Sequence, residues 1–155
     1  MPTTSLSTQF KMDALNGKIN IAGSGPLTYK MLLIKVSPSG TYNNTLTNVG
    51  TPGSGAPSTT NVGTDEASGT GYTSGGATLA GGAVTLYTST GTATFTSPVT
   101  WSTATISAIC AVVYASVSGD VVGVFDFGGT VSSTAGTFTV TLPTPGASTS
   151  LIQLA

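Results

Sequence analysis

The run Ile106-Ser107-Ala108-Ile109-Cys110-Ala111-Val112-Val113-Tyr114-Ala115 decides how this chain folds. It is almost continuously apolar and rich in sheet-forming residues, and Ser118-Gly119-Asp120 follows it with the turn chemistry of a tight hairpin. A strand of this kind is covered on both faces. In an antiparallel domain it therefore lies between a second sheet and a loop or helix, or it faces another subunit.

Working outward, the chain repeats short apolar runs at regular spacing. Strands are predicted over Ala83 to Thr88, Thr92 to Thr96, Thr105 to Ala115, Val121 to Phe127, Thr137 to Leu142 and Leu151 to Leu154. Glycine-containing breaks at Ser89-Thr90-Gly91, Ser118-Gly119-Asp120 and Thr134-Ala135-Gly136 read as turns between them. Thr137-Phe138-Thr139-Val140-Thr141-Leu142 alternates cleanly, one face buried and the other made of hydroxyls. Upstream, Leu27 to Val36 is a further strand. Leu27, Tyr29, Met31 and Leu33 share one face, Leu32 and Ile34 the other, and Pro38-Ser39-Gly40 ends it.

No helical pattern of 10 to 15 residues separates these runs, so the predicted class is all-β, an antiparallel β-sandwich of jelly-roll or Ig-like type. Leu6 to Asn16 is the single helical candidate, with Thr4 or Ser5 to cap it and Gly17 to end it. An extended reading of that segment, with Phe10 and Met12 on one face, competes. Residues 41–77 are rich in Gly, Pro, Ser, Thr and Asn and have no apolar period; they read as a long arm within a single 1–155 domain, ordered by a neighbouring subunit.

Composition bounds function. The chain has 155 residues, enough for one core that buries roughly 70% of the unfolded surface. Charged residues supply 6% of it, Ser and Thr together 49 positions, and the net charge is -1. Hydroxyls carry solubility, and little electrostatic repulsion keeps copies apart, which favours assembly. There is no Arg, and the four Lys (Lys11, Lys18, Lys30, Lys35) lie near the start, so phosphate neutralisation and nucleic-acid binding are set aside. The first residues lack a basic start and an apolar run, and no stretch of 18 apolar residues occurs, so a cytoplasmic origin and no membrane association are expected.

The absence of His removes Ser-His-Asp and Cys-His chemistry and most transition-metal sites. Asp65-Glu66 is the sole acidic cluster, but neighbours in an extended chain point to opposite faces and form no acid/base pair. Gly69-Thr70-Gly71-Tyr72-Thr73-Ser74-Gly75-Gly76 lacks phosphate-loop spacing and a following Lys; it reads as a turn that Tyr72 anchors to the core. Asp126 is read either as an acceptor for turn amides or as a calcium ligand with Asp120 or Glu66. Cys110 reads as a buried, inert thiol, Trp101 as a core or interface anchor, and Asn43-Asn44-Thr45 as a glycosylation sequon by spelling alone. The reading assigns no catalytic residue, no cofactor and no metal.

Several stretches together resemble a family of small structural proteins encoded in tailed-phage genomes. They are Phe10-Lys11 with Leu15-Asn16-Gly17 and Asn20; Glu66-Ala67-Ser68-Gly69-Thr70-Gly71-Tyr72-Thr73-Ser74-Gly75-Gly76; Val99-Thr100-Trp101 with Ala104-Thr105-Ile106-Ser107-Ala108; Ala111-Val112-Val113-Tyr114; Val124-Phe125-Asp126-Phe127-Gly128-Gly129; and Ser132-Ser133 with Gly136-Thr137-Phe138-Thr139-Val140. The chain departs from the family pattern in a longer stretch before Glu66 and a less charged strand at 106–114. The resemblance implies a virion component without catalytic residues. With the low charge, the arm and the two-sided strand, the leading expectation is a capsid decoration or cement protein. It would form a homo-oligomer such as a trimer and contact the major capsid protein. A tail, neck or fibre subunit is the alternative. The reading from another class is a calcium- or host-glycan-binding adhesin module using Asp65, Glu66, Tyr72 and Asp120, with Tyr42 and Trp101 as further aromatics.

Overall fold

A computed structural model describes residues 1–22, 27–146 and 148–154. The fold is all-β, antiparallel and sandwich-like. A five-stranded sheet has the order β1-β7-β6-β2-β3, and a three-stranded sheet the order β4-β5-β8. The strands are β1 (Ser5–Leu6), β2 (Tyr29–Ile34), β3 (Ala77–Leu79), β4 (Ala83–Tyr87), β5 (Thr90–Thr94), β6 (Val99–Ala115), β7 (Val121–Val140) and β8 (Ile152–Leu154), with one helix, α1 (Thr8–Leu15).

β6 explains why the deciding stretch reads as it does. Val99 and Trp101, then Ala104, Ile106 and Ala108, then Ala111, Val113 and Ala115 all enter one core. That set changes parity twice, which a regular strand cannot do, because its side chains alternate strictly. Irregularities in the pairing with β7 between Trp101 and Ala104 and between Ala108 and Cys110 supply the missing steps. Beyond the second one Cys110, Val112 and Tyr114 enter a separate core on the opposite face. Near-continuous apolarity thus records a strand buried on both sides and shifted in phase at Ile109.

The first core fills the space between the two sheets and α1. Trp101 meets Phe138 edge-on at 5.9 Å, and Tyr29 lies 5.5 Å from Phe95. The second core is closed by the chain's own residues 41–67, which lay Tyr42, Leu46, Val49 and Val62 across Leu32, Ile34, Val112 and Val124. Burial of each such anchor stabilises the fold by about 1.5–3 kcal/mol. The 41–77 segment is therefore ordered by its own sheet; the expectation that a neighbour orders it is replaced by this intrachain packing. Residues 65–67 also lengthen the sheet edge: Lys35 N–H donates to the Asp65 carbonyl at 2.9 Å and Ala67 N–H to the Leu33 carbonyl at 2.8 Å.

Other elements differ from their predicted forms. The run at 121–127 and residues 137–140 of the run at 137–142 are parts of one strand, because β6 extends back to Val99 and offers a partner as far as Val140. Thr134-Ala135-Gly136 is consequently a bulge in β7, with Ala135 at φ 50°, rather than a turn. The β4–β5 hairpin turns at Thr88-Ser89, with Thr88 at φ 54°, and Gly91 lies within β5. Leu6 pairs in β1 with Gly123 of β7, so the helix starts later and Ser7 caps it, accepting from Gln9 N–H at 3.1 Å. Gly17 follows its last turn as expected.

Candidate functional site

The adjacent acids Asp65 and Glu66 are both buried and face opposite ways, and each is occupied by its own chain. Asp65 closes the 3-10 turn Gly63–Asp65. Its carboxylate accepts from Ser39 N–H at 3.0 Å, Ser39 Oγ at 3.1 Å, Gly40 N–H at 2.6 Å and Tyr42 Oη at 3.0 Å, and Lys35 Nζ stands 3.1 Å away. Burial alone would raise its pKa, but the Ser39 and Gly40 amides, then Lys35 and Tyr42, overcome that and hold it at about 2. The Tyr42 phenol is driven well above its usual range by burial, then by its hydrogen bond to Asp65 and by that carboxylate's charge.

Glu66 sits inside the 69–76 turn. It accepts from Tyr72 Oη at 3.0 Å, Ser74 Oγ at 2.5 Å and Gly75 N–H at 2.6 Å. Tyr72 Oη accepts in turn from Leu33 N–H at 3.0 Å, and its ring stacks on Trp101 at 6.0 Å. Desolvation, then the Glu66 charge, pushes the Tyr72 phenol far upward. Tyr114 Oη ties down the same turn by donating to the Gly75 carbonyl at 2.7 Å. Tyr72 is thus the anchor that the sequence suggested, and the Gly-rich run is a turn riveted around a carboxylate.

The remaining singled-out residues are dispersed. Asp120 Oδ1 accepts from Asn48 Nδ2 at 3.0 Å. Asp126 Oδ1 accepts from Gly128 N–H at 3.2 Å, the turn-amide arrangement. The structure does not bring Asp126 together with Asp120 or Glu66, and no group of three His, Cys, Asp or Glu side chains is placed to hold a metal among the described residues. Tyr42 and Trp101 are buried, so neither offers a ring to a sugar. Asn43 Oδ1 is engaged in a local turn, accepting from Thr45 N–H at 2.8 Å. Cys110 is fully buried, and desolvation, then the charge of Asp126, lifts its thiol to about 12.

Much of the remaining accessible surface comes from a long uncharged stretch, with Lys35 at the border of the β6–β7 ribbon. From Ala67 to Gly119 the chain carries no Asp, Glu, Lys, Arg or His. The outer face of the β6–β7 ribbon exposes Thr100, Ser102, Thr105 and Ser107 beside Ser132 and Thr139, and Ser107 Oγ and Ser132 Oγ are 2.7 Å apart. β4 carries exposed Val84 and Leu86, 59% and 71% accessible, and β8 exposes Leu154 at 50%. Val84 and Leu154 border an apolar groove of about 290 Å³ between the small sheet and Phe10, Ala14 and Ile19. Sequence reasoning missed this patch: the alternation Val84-Thr85-Leu86 signals one apolar face but not that the face projects past the core beneath it.

No family model, no curated protein and no solved structure matches this chain.

Proposed function

We propose that this chain is a non-enzymatic structural subunit of a tailed-phage virion, a decoration or cement protein that stabilises a capsid shell through contacts between subunits. The observation that carries the reading is the uncharged surface of residues 67–119, which combines a hydroxyl-covered ribbon with exposed Val84 and Leu86. A surface of this kind meets another protein at little desolvation cost to charge and gives few handles to a small polar substrate. The buried carboxylates support the same reading, since Asp65 and Glu66 are consumed in holding loops and their oxygens are filled by internal donors. The virion context rests on the resemblance of stretches such as 66–76, 99–101, 104–108, 111–114 and 124–129 to small tailed-phage structural proteins, which is read from the sequence alone.

A subunit of the tail, neck or fibre is the second reading, favoured by the same uncharged surface and separated by copy number. Quantitative mass spectrometry of purified virions of the encoding phage tests both. Hundreds of copies per particle, the order expected from shell symmetry, fit decoration; tens or fewer fit the tail. Absence of the chain from purified virions defeats the proposal.

A further inference from the structure

β4 is an edge strand that, among the described residues, carries none of the usual protections. It pairs with β5 on one side, and among the described residues no strand lies on the other. Edge strands are ordinarily guarded by Lys, Pro, bulges or a covering loop. Ala83-Val84-Thr85-Leu86-Tyr87 contains no charge and no Pro, and its pairing with β5 runs without a register shift.

The direction of its free hydrogen-bonding groups can be read from one contact. The Thr85 carbonyl accepts from Thr92 Oγ1 at 2.9 Å, so it points toward β5. Backbone groups of an antiparallel strand alternate in direction, which turns the N–H and C=O of Val84 and Leu86 outward. Those two residues also carry the exposed apolar side chains. An occupant that satisfies this edge is a strand, and an uncharged one with apolar residues two apart.

β4 itself meets that description. We propose that two copies of this chain join edge to edge through antiparallel β4 strands, about a two-fold axis passing Thr85. The proposal rests on the assembly reading above and specifies the contact that carries it. The axis sets Val84 opposite Leu86 of the second copy and Leu86 opposite its Val84, forming about four backbone hydrogen bonds. Cross-strand partners share a face, and the register within each copy aligns Leu86 with Gly91 and Leu154, and Val84 with Ala93 and Ile152. The seam therefore continues an apolar row from Leu154, Gly91 and Leu86 of one copy into Val84, Ala93 and Ile152 of the other. A second row related by symmetry runs alongside. Each three-stranded sheet becomes half of one sheet of twice the width.

The test uses the full-length chain. Sedimentation of the purified protein over a range of concentrations is expected to show a monomer–dimer equilibrium. L86K and V84K, whose charges the axis duplicates across the seam, are each expected to raise the dissociation constant at least tenfold while leaving the melting temperature of the monomer near that of the parent. A Thr85→Cys variant reports the register, because facing residues of a non-hydrogen-bonded pair have Cβ atoms about 4.5–5.5 Å apart. Under mild oxidation T85C is expected to cross-link, and faster than Ala83→Cys or Tyr87→Cys; native Cys110 is buried and does not interfere. A chain that stays monomeric at all concentrations overturns the proposal. So does an oligomer, a trimer included, that is indifferent to L86K and does not cross-link through T85C. That second result leaves self-assembly standing through another surface, and presence in the virion is judged separately by mass spectrometry.

Discussion

Replacing Asp65 by Asn removes a buried carboxylate held by Ser39, Gly40, Tyr42 and Lys35. The native carboxylate is fully buried and has its pKa lowered from 3.8 to about 2. Because the folded value lies below the unfolded one, the charge contributes stability that is complete above about pH 4 and is lost as pH falls through about 2. The gap corresponds to about 2 kcal/mol. A second route gives a similar figure. An Asn side chain must set an NH2 group against either Gly40 N–H or Ser39 N–H, leaving a buried backbone donor unsatisfied at about 1–3 kcal/mol. Lys35 is partly exposed, and losing its partner adds at most about 1 kcal/mol. D65N is therefore expected to lower the unfolding free energy by about 2–3 kcal/mol at pH 7, and the difference from the parent should narrow toward pH 2. Urea denaturation followed by Trp101 fluorescence measures it, provided the slope is unchanged between the two proteins. The chain suits the experiment, since it has five Asp and Glu residues and no His, and the other four acids are common to both proteins. A loss under about 0.5 kcal/mol at pH 7, or a variant that loses stability between pH 4 and 2 as steeply as the parent, refutes the reasoning.

Other perturbations probe the packing. Trp101→Ala removes the ring shared by Tyr72 and Phe138 and should cost about 3–5 kcal/mol in the same denaturation assay. Gly76→Ala should cost about 1–3 kcal/mol or more, because Gly76 has φ +72° and an added Cβ would stand 1.9 Å from the Met31 carbonyl oxygen. Cys110 should resist a thiol reagent in the native protein at pH 8 and react fully in concentrated urea, since its thiol is buried and titrates near 12.

The strand content, the antiparallel pairing and the two-sided burial of β2 and β6 were legible in the sequence, because alternation and its loss report directly on which faces are covered. The phase of Tyr29, Met31 and Leu33 against Leu32 and Ile34 is the same in the structure. The length of β7 was not legible: Gly128-Gly129 and Ala135-Gly136 look like breaks, and only a long partner strand turns them into irregularities. The cover over the second core was hidden for a different reason. Tyr42, Leu46, Val49 and Val62 are spaced by turns, so no period betrays that they converge on one patch. At the carboxylates, the sequence showed that Asp65 and Glu66 face apart but not what each would meet, since Ser39, Gly40, Ser74 and Gly75 reach them by loop geometry. The projecting face of β4 depends on where the small sheet ends relative to α1, which is a tertiary property.

Two consecutive carboxylates holding loops on opposite sides have a dynamic consequence. The 37–42 loop and the 72–75 loop are remote in the chain, yet both close on the Asp65–Glu66 peptide unit, which is itself tied to the end of β2. Loosening either loop frees the hold on that peptide and weakens the grip on the other. The amide hydrogens of Ser39, Gly40 and Gly75 should therefore exchange with solvent at matched rates, as one cooperative opening unit rather than as independently fraying surface loops.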